Sequence, residues 1–395
     1  MKCIGQNLNQ VDDLADKENI LDRCGSNFIP CEENQSIDRF HLINEINEDD
    51  IFVGKLLGHG CFCDVYEVSV SDYEQEKNPI ADMYAIKMLS PRIFRDPEQA
   101  RIGASDLTRE TLLLTRLCHK NIITLYGAAR SQLSEDEPPF VKEIYSLIME
   151  RLVSTVDSQL SIWGKKDKME DGQLKPFQNQ VTFPRRIAVA FQVAQALAHL
   201  HENSIIYRDL KPENIGFDTN QIVKLFDFGL AKEINCLGKD RCHTQMAGSF
   251  RYMAPEVALG TNYNTKADVY SFGIFLWEIF FLSQPFNTYN DHIPFLQDVA
   301  FDKKRPPLHR DLNPYWQILI KRCWEHDEEE RPNFRFIVNA IQTEETENQE
   351  NIDKILNPLD VSSTMKKITP NLNGGSINSM LRSLSLCGLS TMFEQ

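Results

Sequence analysis

The residues best suited to chemistry in this chain lie in one short segment, YRDLKPEN, which runs from Tyr207 to Asn214. Within it, Asp209 is followed by a lysine two residues later and by an asparagine five residues later. Such a loop can supply a proton acceptor, a cation for a phosphoryl group in transfer, and an oxygen ligand for a hard metal ion. Asp227, thirteen residues after Asn214 in the motif DFG, can supply a second metal ligand. The alternative is a polar loop capped by an Asx turn, which the combined spacings disfavour.

A second segment, GHGCFCDVY at residues 58–66, has two glycines spaced as in a loop that holds phosphates. Gly58 and Gly60 would let the backbone approach a bound phosphate closely. Cys63 stands where a third glycine would complete the pattern. Taken alone, this segment fits an ordinary hairpin at least as well, so its interpretation depends on the rest of the chain.

The elements that would position these segments fall into two groups. IFVGKLLGHG and CDVYEVSV alternate apolar and polar residues, which predicts two strands joined by the glycine turn, and MYAIKML predicts a third. SDLTRETLLLTRLC, at residues 105–118, has an apolar stripe that predicts a helix, and IITLYG and YSLIMERL predict two more strands. From residue 184 to about 342 the pattern is mainly helical, with two short strand-like pieces. Two polar segments, at residues 131–139 and 164–180, are predicted to be surface insertions.

Composition limits the classes of partner and the compartment. The 395 residues include 42 Lys+Arg and 57 Asp+Glu, and the formal charge of −15 disfavours nonspecific binding to nucleic acid or anionic membranes. The longest apolar stretch, VYSFGIFLWEIFFL, contains Glu278 and is shorter than the roughly 20 residues of a membrane span, so it predicts a buried helix. The ten cysteines form no Cys-x-x-Cys pair, and the N-terminus lacks the apolar core of a signal peptide. We therefore expect a cytoplasmic protein with reduced thiols, and a nuclear location stays open.

Taken together, these motifs resemble the eukaryotic protein kinase family over about residues 50–342. The resemblance implies the bilobal α+β fold of that family, in which a small N-lobe with an antiparallel sheet and a helix C precedes a larger, mainly helical C-lobe. The sequence CW before RP, at residues 323–332, is usual for tyrosine-kinase-like members. The predicted division is an N-lobe at 51–150 and a C-lobe at 151–342, with a flexible extension at 1–48 and a polar tail at 343–395.

The resemblance implies a role for each residue of the catalytic motifs. Lys87, in AIK, matches the strand lysine that holds the α and β phosphates of ATP, and Glu110 matches the helix-C glutamate that pairs with it. Asp209 matches the catalytic base that accepts the proton of the substrate hydroxyl. Lys211 matches the residue that stabilises the γ-phosphate. Because the lysine–glutamate pair is assembled in active states of the family, the position of helix C could act as a switch.

The resemblance also implies how ATP and Mg²⁺ would be held. Asn214 and Asp227 match the ligands of the magnesium ion. Met149 matches the residue at the back of the adenine pocket, and the hinge that follows it includes Glu150 and Leu152. The other implied nucleotide contacts are Leu57, Gly58, His59, Gly60, Cys61, Phe62, Cys63, Asp64, Val65, Ala85 and Lys87, with Phe62 expected to cap the cleft.

Other motif residues indicate the class of substrate or have structural roles in the fold. Lys211 in DLKPEN and Ser249 in GSFRYMAPE resemble serine/threonine kinases, so the expected partners are proteins with serine or threonine acceptors. The resemblance implies a structural pair between Glu256 and Arg331, and it implies that Asp268 anchors the catalytic loop. Arg208 beside the base suggests control by a phosphate, added at Thr244 by an upstream kinase or by autophosphorylation, although Thr244 could equally be a solvated loop residue.

Two positions depart from the family pattern in the C-lobe. Tyr207 replaces the usual histidine, and we expect it to fill the hydrophobic spine without loss of activity. Gly216 replaces an apolar residue that usually lies beneath the adenine ring, where burying a side chain contributes about 1.5–3 kcal/mol. The hypothesis is a weaker or altered adenine contact, with Phe217 as a neighbour that could compensate.

The glycine loop carries the third departure. Cys61 and Cys63 would place two thiols on either side of its tip, near the bound phosphates. The hypothesis is that oxidation or alkylation of either thiol inhibits, and the alternative is simple tolerance of cysteine.

We therefore predict a protein kinase that transfers the γ-phosphoryl group of ATP to protein serine or threonine. A pseudokinase, which would bind or scaffold, is the first alternative. Gly216 and Cys63 favour it, whereas the complete set of motif residues argues against it. A phosphotransferase acting on a small molecule is the second alternative, and the APE segment with Ser249 disfavours it.

Overall fold

The computed structural model describes residues 51–70, 84–130, 145–234, 247–289 and 292–344. The predictions for the extension at 1–48, for the tail beyond residue 344, for the polar segment at 131–139 and for Thr244 fall outside these ranges.

The strands and helices of the described residues follow the predicted order. The strands are β1 (Ile51–His59), β2 (Cys63–Val70), β3 (Tyr84–Leu89), β4 (Leu125–Arg130), β5 (Tyr145–Glu150), β6 (Ser154–Thr155), β7 (Ile205–Ile206), β8 (Ile215–Phe217), β9 (Val223–Leu225) and β10 (Lys232–Glu233). The helices are α1 (Pro97–Leu114), α2 (Val156–Asp167), α3 (Phe183–Glu202), α4 (Pro255–Ala258), α5 (Lys266–Phe281), α6 (His292–Leu296), α7 (Pro314–Cys323) and α8 (Phe334–Glu344).

An antiparallel sheet in the order β1–β2–β3–β5–β4 forms the N-lobe of the described chain. Because successive side chains of a strand point to opposite faces, its alternating pattern produces two distinct surfaces. Val68, Ile86 and Ile148 form a small core on one face. Lys87 lies on the other face, in register with Val65 of β2 and Leu147 of β5.

Helix α1 lies against this sheet and begins earlier than the sequence pattern indicated. The predicted segment started at residue 105, whereas the helix starts at Pro97, because Asp96 caps it by accepting hydrogen bonds from the backbone N–H groups of Glu98 and Gln99. The helix also ends at Leu114, so the end of the predicted segment lies in the following turn. Its buried face includes Glu110, which turns a charged group towards the interior.

The C-lobe is built around α3 and α5. Every residue of α5 from Ala267 to Phe280 is buried, which confirms the buried helix predicted from VYSFGIFLWEIFFL. Gly273 allows α7 to approach closely, since a Cβ atom there would lie 2.8 Å from the Cβ of Cys323. No helix in the described part of the chain is both long and apolar enough to cross a membrane.

The segment at 164–180 is only partly the surface insertion that was predicted. Its first four residues complete α2, and Asp167 at the end of that helix is fully buried. The carboxylate of Asp167 accepts a hydrogen bond of 3.0 Å from Arg186, which also donates to the carbonyl oxygens of Ile279 and Phe280 at the end of α5. The polar composition of the segment concealed this buried pair, because the partner lies 19 residues further along the chain.

Together, the sheet with α1 and the mainly helical C-lobe confirm the bilobal α+β fold. The two lobes are joined by the chain that leads from β5 into β6, and this is the predicted hinge.

Candidate active site

Lys87, on β3 of the N-lobe, contacts one carboxylate from each lobe. Its Nζ atom lies 2.6 Å from Oε2 of Glu110 on α1 and 3.1 Å from Oδ1 of Asp227. Burial alone would lower the pKa of the Lys87 ammonium, but the two carboxylates outweigh burial and raise that pKa above its ordinary value. The side chain is therefore a fixed positive charge, suited to holding phosphate oxygens.

Glu110 connects this lysine to the DFG segment. Its second carboxylate oxygen accepts a hydrogen bond of 3.2 Å from the backbone N–H of Phe228. One side chain on α1 thus sets the position of both Lys87 and the residue after Asp227. The sequence implied the pair with Lys87, and the contact with Phe228 became visible only in the structure.

Asp227 is the charged group that faces outward from this cluster. Its carboxylate is 47% exposed, whereas that of Glu110 is 3% exposed. Lys87 is the main cause that lowers the pKa of Asp227 below its ordinary value, so the carboxylate is ionised at neutral pH. Its backbone has a φ of 59°, a left-handed conformation that is uncommon for a residue with a side chain.

Asp209 and Lys211 form the opposite wall, on the loop between β7 and β8. The ammonium of Lys211 lies 2.7 Å from Oδ2 of Asp209 and donates to the hydroxyl of Ser249 at 2.9 Å. Oδ1 of Asp209 accepts from both the N–H and the hydroxyl of Ser249, each at 3.0 Å. Asn214 donates from Nδ2 to the backbone oxygen and to Oδ2 of Asp209, each at 2.9 Å. The carboxylate of Asp209 is thus held in one orientation.

Asp268 supports this loop from the start of α5. Its carboxylate accepts hydrogen bonds from the backbone N–H groups of Tyr207 and Arg208, both at 2.8 Å. Arg208 has a φ of 72°, and Gly248 passes so near that a Cβ atom on it would lie 2.3 Å from the Arg208 carbonyl oxygen. Only glycine fits at position 248, because that residue also has a positive φ of 102°.

Tyr207 occupies the position expected for it within the core. Its side chain is fully buried, and its ring meets Phe228 edge to face at a centroid distance of 5.3 Å. Leu114 and Leu125 belong to the same continuous core. The Tyr207 hydroxyl also donates to the carbonyl oxygen of Phe226, a hydrogen bond that a phenylalanine could not make.

The glycine loop closes as a tight turn in which the N–H of Gly60 donates to the carbonyl oxygen of Cys63 at 2.6 Å. Cys61 is exposed at this turn, but Cys63 is buried in the core. The expectation of two thiols flanking the tip therefore applies to Cys61 alone. Burial raises the pKa of the Cys63 thiol to about 12, although the charge of Lys87 opposes this rise.

The side chains of Phe62 and Asp64 make contacts within the N-lobe. Phe62 packs against the core at α1, where its Cβ would lie 3.0 Å from a Cβ added to Gly103. The Asp64 carboxylate contacts His59 at 2.7 Å and Arg92 at 3.0 Å on the sheet face opposite to Lys87. The alternation of β2 from Val65 could have revealed the direction of Asp64.

The remaining predicted nucleotide contacts lie on the N-lobe sheet and on the hinge. Ala85 and Met149 are paired across β3 and β5, on the sheet face that carries Lys87. The Glu150 carboxylate forms an ion pair with Lys224 of β9, with 2.9 Å between Oε2 and Nζ. Leu152 is half-buried and packs on the core. Leu57, Gly58 and His59 form the end of β1, before the glycine turn.

The oxygen donors of this site fit a magnesium ion by their chemistry. Asp227 offers an ionised, half-exposed carboxylate, and Asn214 uses its amide nitrogen on Asp209 and so keeps its amide oxygen for another partner. Magnesium prefers a small number of such oxygen ligands, completed by water and substrate phosphates. Among the described residues, no group of three or more His, Cys, Asp or Glu side chains gathers as a richer metal site.

A buried lysine–glutamate pair above a cleft and an aspartate–lysine loop below it, connected by one hinge, define the protein kinase class of fold. The model of the family described as protein tyrosine and serine/threonine kinase matches residues 51–341. The chain belongs to this family, and a family that joins tyrosine and serine/threonine kinases agrees with the tyrosine-kinase-like character of the sequence.

Several curated proteins are similar to this chain over the same region. It is 29% identical over 299 residues to the serine/threonine-protein kinase STY46 of Arabidopsis thaliana, across 75% of this chain and 45% of that protein. It is 30% identical over 293 residues to the dual specificity protein kinase shkB of Dictyostelium discoideum, across 73% of this chain and 40% of that one. It is 32% identical over 263 residues to the serine/threonine-protein kinase CTR1 of Arabidopsis thaliana, across 65% of this chain and 28% of that protein. The chain thus spans less than half the length of each of these relatives.

Proposed function

We propose that this protein transfers the γ-phosphoryl group of ATP to serine or threonine hydroxyls of protein substrates. The observation that carries the proposal is the cluster around Asp209, whose carboxylate is held by Lys211, Asn214 and Ser249. Every residue of this cluster is of the type that phosphoryl transfer needs, which argues against the pseudokinase alternative.

In the proposed reaction, Asp209 orients the acceptor hydroxyl and accepts its proton. The hydroxyl oxygen forms a bond to the γ phosphorus, the bond between that phosphorus and the bridging oxygen breaks, and ADP leaves. Lys211, whose ammonium lies 2.7 Å from Asp209, neutralises charge on the group in transfer. Positioning and charge neutralisation, more than covalent chemistry, supply most of the rate enhancement in such a reaction.

The nucleotide would be held from the opposite wall of the cleft. Lys87, fixed by Glu110 at 2.6 Å, would bind the α and β phosphates. Asp227 and Asn214 would hold Mg²⁺, which supplies charge neutralisation for the phosphates when it is bound.

Serine/threonine specificity rests on the contact of 2.9 Å between Lys211 and the Ser249 hydroxyl. This contact ties the catalytic loop to the segment before APE, which would shape the shelf for a peptide substrate. The similar proteins include serine/threonine and dual specificity kinases, so tyrosine acceptors belong among the outcomes of the test.

We also propose the division into an extension at 1–48, a kinase domain at 51–342 and a polar tail at 343–395, which the family match at 51–341 supports. A cytoplasmic location is supported by the cysteines, since Cys61, Cys63 and Cys323 form no disulfide. Control by a phosphate near Arg208 stays a proposal, because Thr244 lies outside the described residues.

The test is ATP-dependent phosphorylation of a mixed library of serine, threonine and tyrosine peptides by the full chain. Asp209→Asn and Asp227→Asn should abolish the signal, and Glu98→Gln, an exposed position on α1, should leave it unchanged. Signal confined to tyrosine peptides would overturn the proposed specificity. Equal signal from all variants would overturn the catalytic assignment, and ATP binding without any transfer would favour the pseudokinase.

A further inference from the structure

The backbone conformation at position 216 does not require a glycine. Gly216 lies in the middle of β8, is buried, and is absent from the glycines of the described chain that have a positive φ. Any residue could adopt such an extended conformation. A steric reason for glycine at this position would therefore come from a neighbouring group.

That neighbour is Leu152 of the hinge. A Cβ atom added to Gly216 would lie 2.5 Å from Cδ1 of Leu152 and 3.2 Å from both its Cβ and its Cγ. Real Cβ atoms essentially never approach another heavy atom to 2.5 Å. The space that a side chain at position 216 would enter is thus already filled by leucine.

The path of the hinge explains how Leu152 reaches this place. The backbone N–H of Val153 donates to the carbonyl oxygen of Phe217 at 2.8 Å, and Thr155 of β6 is in register with Gly216. Leu152, which precedes this pairing, therefore lies across β8. Leu152 is half-buried against the core, so part of its side chain remains exposed.

The two hinge residues before Leu152 are directed elsewhere. The Glu150 carboxylate pairs with Lys224 at 2.9 Å, and the Arg151 guanidinium pairs with Glu67 of β2 at 2.7 Å. Of these three hinge side chains, the apolar one is Leu152, and it is the one that lies over Gly216.

We propose that Leu152 and Gly216 are a matched pair in which the hinge leucine supplies the apolar surface under the nucleotide base that a side chain at position 216 would otherwise supply. The inference rests on the proposed function, because it names a contact for the base of ATP. It replaces the earlier hypothesis of a weakened adenine contact, and it assigns the compensation to Leu152 and not to Phe217. An apolar floor of this kind binds the flat face of the base through buried apolar area.

The matched pair makes an unusual prediction for Gly216→Leu. If the floor were empty, the added leucine would fill it and would strengthen binding. Because Leu152 is already there, the same substitution forces one side chain out and weakens binding. Leu152→Ala removes Cδ1, the atom that lies 2.5 Å away, and so makes room for a side chain at position 216.

The experiment is a double-mutant cycle on the full chain with Leu152→Ala, Gly216→Leu and the double variant. Binding of adenosine and of ATP is measured by calorimetry, and the melting temperature is measured without nucleotide. Each single variant should bind adenosine about tenfold more weakly, and the double variant should recover to within about threefold of the wild type. Gly216→Leu alone should also lower the melting temperature, and Leu152→Ala should restore it.

Gly164→Ala is the matched control, since a Cβ atom at that position of α2 meets nothing within 4 Å. It should change neither adenosine affinity nor melting temperature. Additive losses in the double variant, or unchanged or tighter adenosine binding by Gly216→Leu, would overturn the matched pair. So would a wild-type protein that binds no adenosine.

The two proposals fail separately. A wild type that binds adenosine and shows the recovery, but transfers no phosphate, would remove the kinase activity and keep the matched pair. A wild type that phosphorylates peptides while the cycle is additive would do the reverse.

Discussion

Lys87 and Glu110 meet at 2.6 Å between Nζ and Oε2, although one lies on a strand and the other on helix α1. The same glutamate accepts a hydrogen bond from the backbone N–H of Phe228. The same helix carries Gly103, against which Phe62 of the glycine loop packs. The position of α1 therefore affects the lysine, the DFG segment and the glycine loop together. A displacement of this helix would disturb all three, which is the physical basis for a switch at this place.

The first prediction concerns Glu110. Glu110→Gln removes the negative charge beside Lys87 but keeps a group of the same shape, so Lys87 loses a charge-assisted hydrogen bond worth about 1.5–3 kcal/mol. We expect kcat/KM for peptide phosphorylation to fall by about ten- to a hundredfold. Steady-state kinetics beside Glu98→Gln, on the exposed first turn of the same helix, provide the comparison. Equal kcat/KM for the two variants would contradict a positioning role for Glu110.

The second prediction concerns the buried pair of Arg331 and Glu256. The guanidinium binds the carboxylate through two contacts, of 2.6 and 2.9 Å, and its side chain is 0% exposed. Arg331→Ala leaves a nearly buried carboxylate without its partner, so the free energy of unfolding should fall by about 3–5 kcal/mol.

Urea unfolding at neutral pH measures this loss. Arg335→Ala is the control, because Arg335 pairs with Glu202 at 3.2 Å on the surface, where both side chains are more than half exposed. Removing such a pair should change the free energy of unfolding by less than about 1 kcal/mol. Similar losses for the two variants would show that the Arg331 pair adds no more than a surface contact.

The third prediction is a pH dependence that arises from Glu278. Its carboxyl group is buried and accepts a hydrogen bond of 2.6 Å from the Tyr252 hydroxyl, and burial raises its pKa from 4.5 to about 8. The folded state therefore keeps the proton that the unfolded state loses. The contribution to stability is fully present below pH 4.5 and is lost as the pH rises through about 8.

Glu278→Gln cannot ionise, so the variant should escape this loss. The difference in free energy of unfolding between the variant and the wild type should be flat below pH 4.5 and should then shift in the variant's favour, by on the order of 4 kcal/mol at pH 9. Urea unfolding at pH 4, 6, 7.5 and 9 measures the difference. Glu202→Gln, at an exposed position, should show no such slope. A flat profile for Glu278→Gln would mean that the carboxyl group is ionised in the folded protein.

The fourth prediction separates the two thiols of the glycine loop. Cys61 is exposed, whereas Cys63 is buried with a pKa of about 12, and alkylation requires the thiolate. With iodoacetamide at pH 8, Cys61 should be labelled and Cys63 should remain unlabelled while the protein is folded. Peptide mass spectrometry measures both sites, with unfolded protein as the positive control. Labelling of Cys63 at the rate of Cys61 would show that the loop opens far more than this packing allows.

Much of the fold followed from local patterns. The alternation in β1, β2 and β3 predicted the strands, and the apolar stretch from Val269 predicted the buried helix α5. The predictions were less accurate where a charged residue is buried by a distant partner, as in the pair of Asp167 and Arg186. A charged residue in a polar segment is indistinguishable from a surface residue until its partner is located.

The amino-acid sequence by itself determined the family, the identity of the motif residues and the order of the elements, because these depend on residue types at short spacings. Only the tertiary structure decided which way the side chains turn. It buried Cys63 while Cys61 stays exposed, packed Phe62 against α1, and placed Leu152 over Gly216. Each of these directions results from packing between segments that are remote along the chain or from the exact path of a loop, and residue spacing does not encode either one.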